Sequence, residues 1–348
     1  MSRTPTVYDV ADRADVSIAT VSRVLRNPDA VKDSTRDTVL AAIKDLGYVP
    51  SGNARGLAAR RTNVIGLFLP GHDDLEISKA APPRAGERVP VRAEEVEPQV
   101  ETLYFDRVLR GAEIEAWRRG FSLMVGAGRG PAKESLVNDL AGRVDGLAVL
   151  SHTVSDELLA HVARRIPVVI LAGADRDDGF DHVSVNNGPG MRAVTEHVLS
   201  KRPETITYIR GVEGSPDDEE RFAGFEQALG DREAVIRRGD FTRESGRAVA
   251  REMTPTRAVI CANDQMALGV LDVLTERGIA VPDEVMVTGF DGIDAGKTST
   301  PSLTTVHQPM IELGRAAIHA ITQRLEDPSI DQQQLTLPVQ GVLRASCP

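Results

Sequence analysis

The chain has 348 residues, 41% of them hydrophobic and 26% charged, which is too long for one ordinary core and too apolar for a disordered chain. No apolar run is long enough to span a membrane, no apolar secretion segment follows Met1, and Cys261 and Cys347 are the only cysteines. These features exclude a membrane protein, a disulfide framework and a paired-cysteine zinc site, and they lead us to expect a cytoplasmic protein of two or three domains without metal or cofactor. The net charge of −10 is unevenly spread: residues 1–61 hold ten Lys/Arg against seven Asp/Glu, a net of +3, which leaves −13 for the rest. A slightly basic head on an acidic body suits a protein that touches phosphates at one end.

Residues 6–47 read as three short helices. Thr6 stands where an N-cap belongs, with Asp9 three residues on as an acidic variant of the capping box, and Val7, Val10, Ala11 and Ala14 share one helical face. Asp15-Val16 is a tight break, and Ser17 is placed to cap a second helix that turns Val21, Val24 and Leu25 inward. Asn27-Pro28-Asp29 ends that helix. Ser34, with Asp37 three residues on, is expected to cap a third helix whose stripe is Val39, Ala42, Ile43 and Leu46, and Gly47 suits a left-handed termination. Three helices with a minimal first turn make an all-α helix-turn-helix head over residues 1–49.

The run Thr6-Val-Tyr-Asp-Val-Ala-Asp-Arg-Ala-Asp-Val-Ser-Ile-Ala-Thr-Val-Ser-Arg-Val-Leu25 resembles the signature of the LacI/GalR family almost position for position. In that family the second helix lies in the major groove of DNA. The resemblance implies that Ile18, Ala19, Thr20, Ser22 and Arg23 face the bases, and that Thr6, Tyr8 and Ser17 hold phosphates through hydroxyls and helix N-termini. Arg23 has the reach to grip guanine O6 and N7 together; a phosphate contact or a solvated helix face is the alternative. Ile18 precedes Val21 by three residues and Leu25 by seven, so periodicity alone sends it to the core while the resemblance sends it to DNA. Residues 50–61 resemble the family hinge, a short helix formed on the operator whose paired leucines wedge into the minor groove. Ala54, Arg55 and Leu57 are the contacts implied there. Gly52 and Gly56 each weaken such a helix by about 1 kcal/mol relative to alanine, which fits an element that folds only when bound. A flexible linker is the other reading of the same residues.

Beyond Arg61 short apolar runs recur at 64–69, 122–126, 146–150, 168–172, 205–209, 258–261 and 285–290. Amphipathic stretches at 105–119, 188–201, 220–229, 243–253 and 264–278 lie between most of them. Such alternation predicts parallel sheets flanked by helices, and residues 62–348 are enough for two lobes. Asp145-Gly-Leu-Ala-Val-Leu150, Arg221-Phe-Ala-Gly-Phe225, Ala262-Asn-Asp-Gln-Met-Ala-Leu-Gly269, Val287-Thr-Gly-Phe-Asp291 and Pro301-Ser-Leu-Thr-Thr-Val-His-Gln-Pro309 resemble family blocks in the family order. The resemblance implies a two-lobed sensor domain like a periplasmic sugar-binding protein, crossed three times by the chain. It places Arg221 and Asp291 on effector hydroxyls, Asn263 at a strand end, Tyr104, Phe105 and Phe241 as stacking platforms, and Ser151 after its strand. Core packing is the alternative for the aromatic residues, and Asp264 is as well placed to cap a helix as to bind a ligand.

Three departures from the family pattern reduce the carboxylates expected for a monosaccharide. Ala172 and Gly292 stand where an aspartate is common, and Asn186-Asn187 stands for Asp-Asn. A larger one is residues 71–99, rich in charge and holding Pro82, Pro83, Pro90 and Pro98, which reads as an insertion: an inert loop, a lid or a protein-binding segment. No nucleophile elbow, phosphate-binding Walker loop or metalloprotease helix occurs, so an enzyme is not expected. A solute-binding protein would account for the body and leave the head unexplained. The expectation is a regulator of transcription that binds double-stranded operator DNA as a homodimer under a small-molecule, carbohydrate-like effector.

Overall fold

The computed structural model describes residues 5–49, 61–70, 103–128, 132–173 and 177–348. The chain divides into two compact units, Met1–Asn63 and Val64–Pro348. The expected hinge contacts Ala54, Arg55 and Leu57, and the insertion at 71–99, lie outside the described residues.

The first unit holds α1 (Val7–Ala14), α2 (Ile18–Arg26) and α3 (Asp33–Leu46), with a 3-10 turn at Pro28–Ala30. Thr6 and Asp9 form the reciprocal box at the start of α1: the Asp9 amide donates to the Thr6 hydroxyl at 3.5 Å, and the Thr6 amide donates to Asp9 Oδ2 at 2.7 Å. Ser17 caps α2 by accepting the Thr20 amide at 3.2 Å. Asp15 takes a left-handed conformation at φ 51°, which makes the turn between α1 and α2 as tight as expected. The third helix corrects the sequence reading: it starts at Asp33 after Lys32, with no side-chain cap, and Ser34 lies inside its first turn. Asp33 is held there by Arg36 at 2.9 Å, and an acidic group suits the positive end of a helix. Val10, Ala11, Ala14, Val21, Val24, Val39 and Ala42 form the small core.

The second unit is two sheets. Strands β1 (Val64–Pro70), β2 (Ser122–Gly128), β3 (Gly146–Leu150), β4 (Val168–Leu171), β5 (Asp181–Val185) and β11 (Gln334–Leu337) form the first, in the order β11-β5-β4-β3-β1-β2, all parallel. Helices α4 (Leu103–Arg118) and α12 (Met310–Glu326) pack on each other and on this sheet, as do α5 (Ala132–Ala141) and α6 (Asp156–Ala163). The interior strands read as continuous apolar runs because helices bury them on both faces, as Ile65, Leu67 and Phe68 show by having no exposure.

The second sheet orders β6 (Ile206–Arg210), β7 (Val235–Arg238), β8 (Ala258–Cys261) and β9 (Met286–Thr288) as β7-β6-β8-β9, again parallel. Around it lie α7 (Asn187–Ser200), α8 (Pro216–Leu229), α9 (Arg243–Glu252), α10 (Asp264–Glu276) and the short α11 (Asp294–Thr298). An antiparallel ribbon, β10 (Thr305–His307) with β12 (Gln340–Val342), completes this lobe against α7. The chain passes between lobes at Val185–Asn187, Gln308–Met310 and Leu337–Gln340, three crossings in all.

The expected strand at 285–290 is shorter, because Gly289–Asp291 leaves the ladder to bond to the segment leading into β10: the Gly289 amide donates to Thr304 O and the Asp291 amide to Val306 O. In both sheets the strand order reverses, at β1/β3 and at β6/β8, and open sheets of this kind bind ligands beyond the strand ends at such points.

Candidate DNA-binding face and interlobe site

On α2 the side chains sort cleanly. Val21 and Val24 are buried, while Ser17, Ala19 and Arg23 are exposed and Ile18 is 39% exposed. Periodicity alone had sent Ile18 inward; as the first residue after the cap it starts the helix at its edge, and much of its apolar surface is open to solvent. Thr20 and Ser22 are half-buried, and the Thr20 hydroxyl lies 3.0 Å from that of Ser17. Tyr8 on α1 is 64% exposed. Thr6 gives its hydroxyl proton to Asp9 Oδ2 at 2.7 Å, so any phosphate contact there would fall to the free amides at the start of α1. The unit thus turns one helix face outward that mixes apolar surface, hydroxyls and a guanidinium.

In the second unit a hydrogen-bonded network runs across the ends of β6, β8 and β9. The first turn of α8 begins with Ser215 as cap, Pro216, and the acidic Asp217, Asp218 and Glu219, a sequence that suits a helix N-terminus. One turn later α8 delivers Arg221, 4% exposed, over the Phe290 ring, with Cζ 4.0 Å from its centroid. Arg221 Nε donates to Asn187 Oδ1 at 2.8 Å, and Nη1 donates to Ala262 O at 2.8 Å and to Asp291 Oδ1 at 3.5 Å. Gln308 Nε2 donates to the same Asp291 oxygen at 2.6 Å. Asn187 Nδ2 donates in turn to Asp217 Oδ1 and to Glu220 Oε2, each at 2.9 Å. Burial pushes the Asp291 carboxyl up to about 6, against the opposing pull of Arg221 and Gln308. Asp291 sits at φ 121°, a conformation costly for a residue with a Cβ, and its backbone is bonded on both sides, its amide to Val306 O and its carbonyl to the Gln308 amide.

Asp264 does not cap its helix. Asn263 does, accepting the Met266 amide at 3.0 Å and donating to Phe241 O at 2.9 Å, so both ends of its amide have structural work. Asp264 instead accepts the Gly292 and Ile293 amides at 2.8 and 2.9 Å and the Thr305 hydroxyl at 2.5 Å, stapling three segments behind the site. Burial, then the nearby Asp291, raises its carboxyl well above the ordinary range. Asn263 therefore shapes the site through Phe241, whose ring centroid lies 6.0 Å from Arg221 Cζ.

From the other lobe, Tyr104 at the start of α4 comes near enough to this network that Asp217 and Asp291 add to burial in raising its phenol, with Arg221 opposing. It therefore meets the network as a neutral hydroxyl. Phe105 packs edge-on to it, 5.2 Å between centroids. Among the described residues, two further contacts join the lobes. The Gly173 amide donates to Asp217 Oδ1 at 3.2 Å, and Arg107 pairs with Asp294. Ser151 lies apart from the network, lining a cavity of about 20 Å³ with His152, Asp178 and His182, although its hydroxyl abuts Gly173. A larger concavity, about 360 Å³, is lined by residues of α9 and α10 together with Ser299 and Thr300, where Arg243 and Arg247 both bond to Asp272.

Of the residues named from the sequence, Arg221 and Asp291 share the network; Phe241 approaches Arg221 by its ring, Asn263 is spent on capping its helix and holding Phe241, and Tyr104 comes near from the other lobe. The network adds Asn187, Asp217, Glu220 and Gln308, which the sequence reading passed over. The visible signal was the acidic run Asp217-Asp-Glu-Glu220 directly before Arg221. Among the described residues no group of His, Cys, Asp or Glu could hold a metal ion, and no helix is long and apolar enough to cross a membrane.

Residues 6–51 match the sequence pattern described as bacterial regulatory proteins, lacI family, and residues 195–347 match that of a periplasmic binding protein-like domain. The chain is 32% identical over 346 residues to the HTH-type transcriptional repressor PurR of Erwinia tasmaniensis, covering 95% of this chain and 93% of that one. It is 26% identical over 346 residues to catabolite control protein A of Staphylococcus xylosus, covering 96% and 97%. Among solved structures, the lac repressor dimer bound to operator and the anti-inducer ONPF matches with a TM-score of 0.79 at 26% identity over 99% of both chains. The complex of the transcriptional regulator CelR with cellobiose matches with a TM-score of 0.69 at 27% identity, over 98% of this chain and 99% of that one. These relatives are regulators of transcription and not enzymes, and the chain belongs to the LacI family of DNA-binding transcription regulators, with a helix-turn-helix region followed by a two-lobed effector domain of parallel sheets flanked by helices.

Proposed function

We propose that the protein is a cytoplasmic, nucleoid-associated repressor that binds a pseudo-palindromic operator as a homodimer, released or recruited by a sugar or sugar derivative held between its lobes. The observation that carries this reading is the outward face of α2, with Ile18, Ala19 and Arg23 exposed over buried Val21 and Val24, in a chain whose second unit gathers Arg221, Asp291 and Tyr104 at the strand ends. The lac repressor structure, a dimer on operator, and the cellobiose complex of CelR support the partner assignments by likeness.

In this reading residues 1–49 are the DNA-binding domain, 50–61 the hinge, and 62–348 the effector and dimerisation domain. Two copies of α2 enter successive major grooves, Thr6, Tyr8, Ser17 and Arg55 hold phosphates, and Leu57 from each subunit, flanked by Ala54, pries open the centre. An effector acts only through a difference in affinity between the hinge-paired and hinge-separated states.

Fluorescence anisotropy of the purified protein on DNA from beside its own gene tests the reading, with and without sugars, sugar phosphates and nucleosides. Tight binding to a pseudo-palindrome that one compound alters is the expected result. Weak, sequence-blind binding overturns the operator assignment. Operator binding that no compound alters overturns the small-molecule assignment and turns attention to residues 71–99 as a docking segment for a protein partner.

A further inference from the structure

Not every carboxylate of the interlobe network meets a cation among the described residues. Asp291 and Arg221 face each other at 3.5 Å and offset one another. Asp217, on the same string of hydrogen bonds, receives only neutral donors among the described residues: the Gly173 amide at 3.2 Å and Asn187 Nδ2 at 2.9 Å. Glu220 Oε2 accepts from the same Asn187 nitrogen at 2.9 Å, and Asn187 is 1% exposed. Asp218, next in sequence, points elsewhere and is matched by Arg210 and Arg238 at 2.9 and 3.2 Å.

An independent feature points to a ligand oxygen. Arg221 is 4% exposed, with Nε and Nη1 bonded, yet its Nη2 has no hydrogen-bond partner among the described residues. Nη2 is not among the fully buried atoms, so this one edge of an otherwise buried guanidinium is open to an acceptor. Because Asp291 already offsets its charge, that edge gains little from an anion that must also approach Asp217. A hydroxyl or ring oxygen meets it without that repulsion.

We propose that this site selects its effector by charge: it takes a hydroxylated ligand that is neutral or carries a protonated amine, with an N–H or O–H of the ligand on Asp217 and a ligand oxygen on Arg221 Nη2, and it rejects phosphorylated and carboxylated ligands. The inference rests on the effector reading above and narrows it. The Asp217 carboxylate takes over the acceptor role that Ala172 and Gly292 cannot fill, from a helix turn on the opposite lobe from Ala172.

Calorimetric titration of the full chain with glucose, glucosamine, gluconate, glucosamine 6-phosphate, ribose and ribose 5-phosphate tests it. At least one uncharged or aminated member should bind. Each anionic counterpart should bind about tenfold or more weakly, as like charge at short range in a partly buried site requires. The isosteric Asp217→Asn variant keeps an acceptor for Gly173 and should shrink that gap, raising the relative affinity of the anionic members; circular dichroism melting checks that it folds. Tighter binding of a phosphorylated or carboxylated member to the unmodified protein overturns the charge rule while leaving the effector site standing. An unchanged gap in Asp217→Asn removes Asp217 from the role. Binding by no member overturns the effector reading of the cleft, and this inference with it.

Discussion

Asp291 concentrates the chemistry of the site in one side chain. Its folded value of about 6 lies above the 3.8 of an unperturbed aspartate, so between roughly pH 4 and 6 the folded chain holds a proton that the unfolded chain has released. Its contribution to stability is therefore fully present below about pH 4 and is lost as pH rises through 6. At the proposed effector site, ligand binding should follow the opposite course, because the carboxylate is the stronger acceptor for hydroxyls and the charged partner of Arg221. Effector affinity should fall as pH drops through about 6, and Asp291→Asn should abolish that dependence while weakening binding at pH 7.5 by tenfold or more. Melting curves complete the test: the melting temperature of the unmodified protein relative to Asp291→Asn should decline from pH 5 to pH 7.5. A pH-independent difference would show that another group titrates. The identity of Asp291 was legible in its block, Val287-Thr-Gly-Phe-Asp291; its strained backbone and its bond to Gln308 were not, because both arise from a segment that returns from fifteen residues further on.

At the scale of elements, glycines decide how closely the helices that carry the network approach. A Cβ on Gly224 of α8 would lie 2.1 Å from the Gly188 carbonyl oxygen on α7. These two helices bring Arg221 and Asn187 together at 2.8 Å. Gly224→Ala should therefore cost about 1–3 kcal/mol of stability in the second unit and disturb effector binding, since backbone cannot yield as a side-chain tip can. Chemical denaturation together with calorimetry measures both losses, and an unaltered effector affinity would show that the spacing of α7 and α8 does not set the network. The helices expected at 105–119, 188–201, 243–253 and 264–278 appear within two residues at each end, since an amphipathic stripe is a local property. That at 220–229 begins four residues earlier, at Pro216. Strands β5, β7, β10, β11 and β12 were not anticipated. β7 is exposed throughout and edges its sheet, so it lacks the apolar run that betrays a buried strand, while β5 carries Asp181, His182 and Ser184 in a buried position. Asp181 is tolerated there because Arg324 from α12 meets both its oxygens at 2.7 Å.

For the whole molecule the two proposed activities should separate by their response to salt. Operator binding displaces counterions from DNA, so its affinity should drop by orders of magnitude between about 50 and 200 mM salt. Effector binding, through a buried network, should change little over the same range. The reverse pattern would place the charge-dependent step at the cleft. Leu57→Ala tests the hinge in the same assay: loss of specific operator binding well beyond loss of non-specific binding is expected, and equal loss on both overturns the wedge. The pair Arg107–Asp294 is about half exposed on both sides and should contribute at most about 1 kcal/mol to closure, far less than the buried network.

Local chemistry by itself determined the helix-turn-helix head, through the caps Thr6 and Ser17, the break at Asp15 and the stripe from Val10 to Val24, and it determined the alternation of strands and helices behind it. These are properties of residues a few positions apart, written in propensity and periodicity. The start of α3 at Asp33, with Ser34 inside its first turn and no side-chain cap, shows the limit even there. The composition of the interlobe network was decided only by the tertiary structure. Asn187, Asp217, Arg221, Ala262, Asp291 and Gln308 span more than a hundred residues of chain, and what joins them is the reversal of strand order at β6/β8 and the three passages between lobes. Hydrogen bonds between side chains so far apart follow from packing, which no local pattern encodes.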